Sequence, residues 1–257
     1  MKCNLGKNNM FAIIVLMVLI CSCNQSGKQT DSDDSEFQTQ AEINEASYND
    51  CVAYMDSVEM DFQYLISALP QYEDEFNKEK DVWEQYIDAI REVASCEEHG
   101  SSTPMYVNDV VSQGTTLWSE SMHNLCLYLQ GNKPVFSKTK FTSAMIADAY
   151  AAYIKAVGVG DYAEKVSDYQ ESLRKEQKCW NDWMECREVV SQKLTDELRT
   201  VYDGCTNQMT RTKLLQLKNQ NQALGLISGD VLECALPDDC SDKELLEYPG
   251  FDKVWAE

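Results

Sequence analysis

Histidine is nearly missing from this chain: there are two in 257 residues, His99 and His123. Neither stands in a Gly-x-Ser-x-Gly elbow or a His-Glu-x-x-His, so serine-hydrolase and zincin chemistry have no sequence marker. No Cys-x-x-Cys or paired-histidine spacing occurs, so a zinc site has no framework and no metal is expected. Gly131–Lys138 (GNKPVFSK) lacks the second glycine and the Lys-Ser/Thr of a phosphate loop. Basic residues are scarce, with 22 Lys and Arg against 43 Asp and Glu and a formal charge of −21. Such a surface repels nucleic acid and anionic lipid and attracts basic partners. Strand-like alternation is absent, which excludes a sheet architecture and leaves an all-α class. Carboxylate pairs suited to glycoside hydrolysis arise by chance among so many acidic residues, and context marks none. The sequence therefore predicts a non-catalytic protein that needs no cofactor.

The one long apolar run, Met10–Ile20, has eleven residues. That is short of the roughly 20 that a spanning helix needs. With Lys2 and Lys7 before it, the run predicts the h-region of a signal peptide over residues 1–22. Leu19-Ile20-Cys21-Ser22-Cys23 resembles a bacterial lipoprotein lipobox, which implies cleavage before Cys23 and lipidation of that residue. Asn24 stands where inner-membrane lipoproteins usually carry Asp, so the expected location is the outer membrane of a Gram-negative cell. Without residues 1–22 the charge is −23, because the leader holds two lysines and no acidic group. Residues 23–45 are polar and turn-rich and are expected to form a flexible acidic tether reaching roughly 25 Å. The acidic run Asp31–Glu36 resembles surface-export signals, which leaves both the periplasmic face and the cell surface open.

From residue 46 onward the apolar spacing is helical. Ala46–Leu69 carries Val52, Met55, Val58, Phe62, Leu65 and Leu69 along one side and ends at Pro70. Tyr72–Cys96 follows with Phe76, Trp83, Tyr86, Ile87, Ile90 and Val93. Helices are also expected from Thr103 to about Gln130, over Thr142–Val157, over Asp161–Gln192 and from about Thr195 onward. Residues 223–257 read as a tail wrapping loosely over the bundle. A shift of 97 residues lays Glu79 on Glu176, Trp83 on Trp180, Tyr86 on Trp183 and Val93 on Val190. Two related helical units, 46–130 and 142–222, are the expectation.

Eight cysteines follow Cys23: 51, 96, 126, 179, 186, 205, 234 and 240. An even number in an exported chain predicts a disulfide framework. Cys179 and Cys186 on one helix lie about 10 Å apart along the axis, beyond the roughly 7 Å between Cα atoms that a disulfide tolerates. A hairpin turning near residues 192–195 sets Cys205 between them and within reach of either. A turn at Pro70 sets Cys51 opposite about residue 89 and leaves Cys51–Cys96 open. His123 near Cys126 suggests a Cys–His pair, but a bridged cysteine is no nucleophile.

Around the central helix the order Gln177, Trp180, Trp183, Cys186, Arg187, then Cys205 with Thr206, Thr210 and Arg211, resembles the lysozyme inhibitor LprI-like N-terminal domain family. The first unit keeps Trp83, Tyr86, Arg91, Cys96 and a Gly100-Ser101-Ser102 loop. The resemblance covers about 45 residues well. It departs at Met184, where the family has Arg, and at the missing Gly-Gly-Ser loop between the cysteines. It implies a disulfide-bridged helical bundle and favours a Cys186–Cys205 bridge. The motif residues Gln177, Trp180, Trp183, Arg187, Trp83 and Tyr86 are expected to be structural. The partner implied is a basic lysozyme. Two function classes follow: an anchored module that captures a basic protein, and a structural or assembly lipoprotein that holds another envelope component.

Overall fold

A computed structural model describes residues 39–96, 103–157, 166–225, 236 and 239–247. The leader, Cys23, His99, the Gly100-Ser101-Ser102 loop and Cys234 lie outside the described residues. Every described element is helical: α1 (Gln40–Ala68), α2 (Glu73–Ser95), α3 (Thr103–Leu129), α4 (Ser143–Val157), α5 (Val166–Lys193), α6 (Asp196–Gly225) and α7 (Asp242–Glu247). The class is all-α, with no strand among the described residues.

Helix α1 starts six residues before the expected Ala46, so residues 40–45 of the expected tether are helical. Thr39 and Glu42 form a capping box, each side chain meeting the other's backbone N–H, and that closes the first turn at residue 40. Pro70 ends α1 and opens a single 3-10 turn, Pro70–Tyr72. Glu73, Asp74 and Glu75 then stabilise the positive N-terminus of α2. Gly131 ends α3 with a φ of 88°, a left-handed conformation suited to glycine. The α5–α6 turn is held by Arg199, whose guanidinium donates to the carbonyls of Ser191, Gln192 and Leu194.

Contacts give the directions. Tyr54 meets Thr116 and Asp61 meets His123, so α1 and α3 run parallel. Glu75 pairs with Lys193, Glu79 with Arg187 and Glu92 with Lys175, so α2 and α5 run antiparallel. Glu176 with Lys213 and Ser191 with Asp203 make α5 and α6 antiparallel. The result is two sets of three helices, α1–α3 and α4–α6. The inner pairs α2–α5 and α3–α6 form a four-helix centre. The outer helices take matching places, α1 on α3 and α4 on α6.

Tyr86 and Trp183, which the 97-residue shift sets in register, touch each other with ring centroids 5.3 Å apart. Equivalent residues meet in this way only near an approximate two-fold axis between the sets. One continuous apolar core runs through both, with Trp118, Trp180, Trp183, Tyr86 and Tyr202 among its largest fully buried side chains. The α2 stripe is buried as its spacing requires, but Val52 of the expected α1 stripe is 39% exposed.

Within the C-terminal segment, the described residues 239–247 are held against the body. Arg211 pairs with Asp242 at 2.7 Å, Lys218 donates to the carbonyl of Leu245 at 2.6 Å, and Leu245 is fully buried.

Candidate functional site

The strongest concentration of chemistry-bearing groups lies inside the four-helix centre. Glu79 of α2 is fully buried. Its carboxylate accepts from the Arg187 guanidinium of α5, from Trp118 Nε1 of α3 at 3.1 Å and from Tyr202 OH of α6 at 2.5 Å. Arg187 also donates to Ser121 Oγ and Thr206 Oγ1, both at 2.9 Å, and lies 4.1 Å over the Tyr202 ring. Each central helix thus contributes to one saturated network. Burial works against the Arg187 charge, yet the Glu79 carboxylate more than offsets it and keeps the guanidinium charged.

A second network sits on the α4–α6 side. Glu176 of α5 accepts from Lys213 Nζ at 2.6 Å and from Tyr150 OH at 2.8 Å. Lys213 lies 5.4 Å over the Tyr86 ring and 5.2 Å over Tyr150. Burial alone would lower the lysine's pKa; the Glu176 charge reverses that and raises it. A narrow cleft bounded by Ile90, Val93, Gly114 and Gln216 opens toward this pair, with room for one or two waters. Its charged end is already satisfied from within the protein.

The motif residues fall into this interior. Trp180, Trp183, Trp83, Tyr86 and Arg187 are buried, and Gln177 is half-buried beside them. Thr210 and Arg211, at the end of the family motif, are buried as well, with Arg211 paired to Asp242. The Cys–His pairing at residues 123 and 126 is not made. His123 Nδ1 lies 3.5 Å from the Asp61 carboxylate and the Cys126 thiol faces the Asp61 carbonyl. Burial pushes the Cys126 thiol up to about 12, far from a reactive thiolate.

The expected disulfides are not formed. Cys51, Cys96, Cys186 and Cys205 are unbridged, as are Cys126, Cys179 and Cys240. The surroundings explain it. The Cys205 thiol turns toward Ser121 and Arg187, whereas Cys186 lies half-buried beside Glu79 and Lys78. Cys96 is turned to Ser172 on α5, away from Cys51 on α1. Helical hairpin arithmetic gives height along the axis but not the direction a side chain takes around it.

No protein-family model, curated protein or solved structure matches this chain. The site is therefore read from its own geometry. The Glu79 and Glu176 carboxylates are each met by donors inside the core, whereas Nε1 of Trp83, Trp180 and Trp183 and the Tyr86 hydroxyl are buried without a hydrogen-bond partner. At the surface, further lysines and arginines are tied to carboxylates: Lys80 to Glu59, Lys175 to Glu92, Lys178 to Asp182 and Lys193 to Glu75. Ten Lys and Arg side chains among the described residues are held this way, the two core pairs included. The large acidic surplus is left with few free counter-charges. Nothing local in the sequence marks Glu79, because its partner Arg187 is 108 positions away. The alignment of Glu79 with Glu176 was the available signal.

Proposed function

We propose that the chain is a lipid-anchored, non-catalytic binding module of the bacterial envelope that captures a basic protein through its acidic surface. The observation that carries this reading is the distribution of charge. Most described cations are consumed by intramolecular pairs, and the surplus carboxylates face outward. Such a field steers a cationic partner into contact and weakens as salt screens it. The lipobox at Cys23 supports the anchor, and no described helix is long and apolar enough to cross a membrane. A basic lysozyme is the partner that the resemblance around Trp180 and Trp183 suggests.

The test is capture of cationic proteins from an envelope extract, run beside a lysozyme turbidity assay at low and high salt. Binding that fades with salt, with slowed wall lysis, supports the reading. Failure to hold any cationic protein at low salt overturns it. Cys23→Ala tests the anchor separately: the variant is expected to leave the membrane fraction or to remain unprocessed. Unchanged partition and mass would remove the lipid from the account.

A further inference from the structure

Helix α1 grips the body by one side, where Cys51, Val58, Phe62 and Leu65 are buried. Its other side carries Tyr48, Val52, Met60 and Tyr64, exposed by 60%, 39%, 74% and 42%. With Asp56 these positions advance in steps of four and form a ridge of two apolar pairs, Tyr48–Val52 and Met60–Tyr64, interrupted by Asp56 and winding around the outer side over about 24 Å of helix. Only three other large hydrophobic side chains among the described residues are comparably exposed, and each is isolated: Val135, Val189 and Leu246. A single exposed apolar residue needs no explanation, but two neighbouring apolar pairs on one helix mark an interaction surface.

The fold contains its own control. Helix α4 holds the matching outer place in the second set of helices, and its outward positions are Ser143, Ala144, Asp148, Ala151 and Lys155. These are small or polar, so the architecture does not require large apolar groups facing outward at this place. The ridge is particular to α1.

Charge selects the occupant. Helix α1 contains six acidic residues and no lysine or arginine. Glu45, Asp50 and Asp56 are exposed on or beside the ridge. A second copy of the chain would bring the same carboxylates against themselves, and an anionic lipid surface would be repelled. A ridge of Tyr, Val and Met that carries Asp56 at its centre and is flanked by further carboxylates complements an amphipathic helix whose apolar stripe is bordered by Lys or Arg. We infer that the outward face of α1 is a docking surface for a cationic amphipathic helix of a partner protein. The inference rests on the basic-partner reading above and names the surface that serves it.

The experiment uses the full chain in neutral-lipid nanodiscs, with empty nanodiscs subtracted. Two probes are titrated: a synthetic Leu/Lys amphipathic helical peptide, and polylysine, which has charge but no apolar stripe. Val52→Gln/Met60→Gln/Tyr64→Gln removes the ridge and keeps the charge, and Ala144→Gln/Ala151→Gln on α4 is the control. Loss of about tenfold or more in affinity for the Leu/Lys peptide is expected in the triple variant. Polylysine binding, the urea midpoint and the α4 control should hold. Equal affinity of wild type and triple variant for the Leu/Lys peptide overturns the α1 assignment while leaving the basic-partner reading standing. No binding of either probe by the wild type overturns both. Self-association of the wild type that the triple variant loses would make a second copy the occupant, and that also overturns the inference.

Discussion

Glu79 gathers donors from three other helices, and its burial is tolerable only because all of them arrive. Removing the acid strands a charged guanidinium in the core. Glu79→Ala is therefore expected to cost about 3–5 kcal/mol by urea unfolding, the usual penalty for breaking a buried pair from one side. Glu79→Ala/Arg187→Met should recover much of that loss. A single variant as stable as the wild type would mean that water reaches the pair. Trp180 has no exposed surface and packs edge-on against Trp183, with centroids 5.6 Å apart. Trp180→Ala is expected to cost roughly 3–5 kcal/mol, the range for deleting a large buried aromatic. A variant that melts like the wild type but loses its partner would move Trp180 from the core to the binding surface. The tryptophans were legible as core from their helical spacing. The glutamate was not, since nothing local distinguishes it from the solvated acids around it.

At the scale of elements, most boundaries were written in caps and breakers: Pro70, the acidic first turn of α6 and the stop at Gly131 all act locally. The start of α1 was equally legible in Thr39 and Glu42, but the polar composition of the segment masked it. Its inner face was read correctly except at Val52, because an apolar residue next to a stripe looks like part of it. Gly204 on α6 shows what the sequence hides. A methyl group there would lie 2.3 to 2.7 Å from three ring atoms of Phe136. Intrinsic preference favours Gly→Ala inside a helix by about 1 kcal/mol. The close ring reverses the sign, and Gly204→Ala is expected to destabilise by about 1–3 kcal/mol, as overpacking does. A raised melting temperature would show that Phe136 swings away freely.

The whole molecule responds to alkali through several groups acting in one direction. Burial pushes the Cys205 thiol up to about 11 and the Cys126 thiol up to about 12. Lys213 is raised too: burial opposes its charge, but Glu176 outweighs it. Groups with raised folded-state pKa values contribute stability that is complete below their unfolded values and lost as pH climbs through the folded ones. Stability should therefore hold at pH 8 and fall from about pH 9 toward 12. Urea midpoints at pH 8 and 10.5 check this, and equal midpoints would show that the thiols ionise as freely in the fold as outside it. The helical class was legible at this scale from periodicity alone. The partner of each helix was not, since antiparallel pairing across more than a hundred residues leaves no local trace.

The two buried acids differ in where their help comes from. Glu176 draws on Tyr150 and Lys213, both within the α4–α6 set, but Glu79 takes Arg187 and Tyr202 from the set that follows its own. On the ribosome the first three helices therefore emerge with a carboxylate that has no cation to meet until α5 is made. They cannot close around it early without burying a naked charge. Completion of the fold waits for the later half of synthesis.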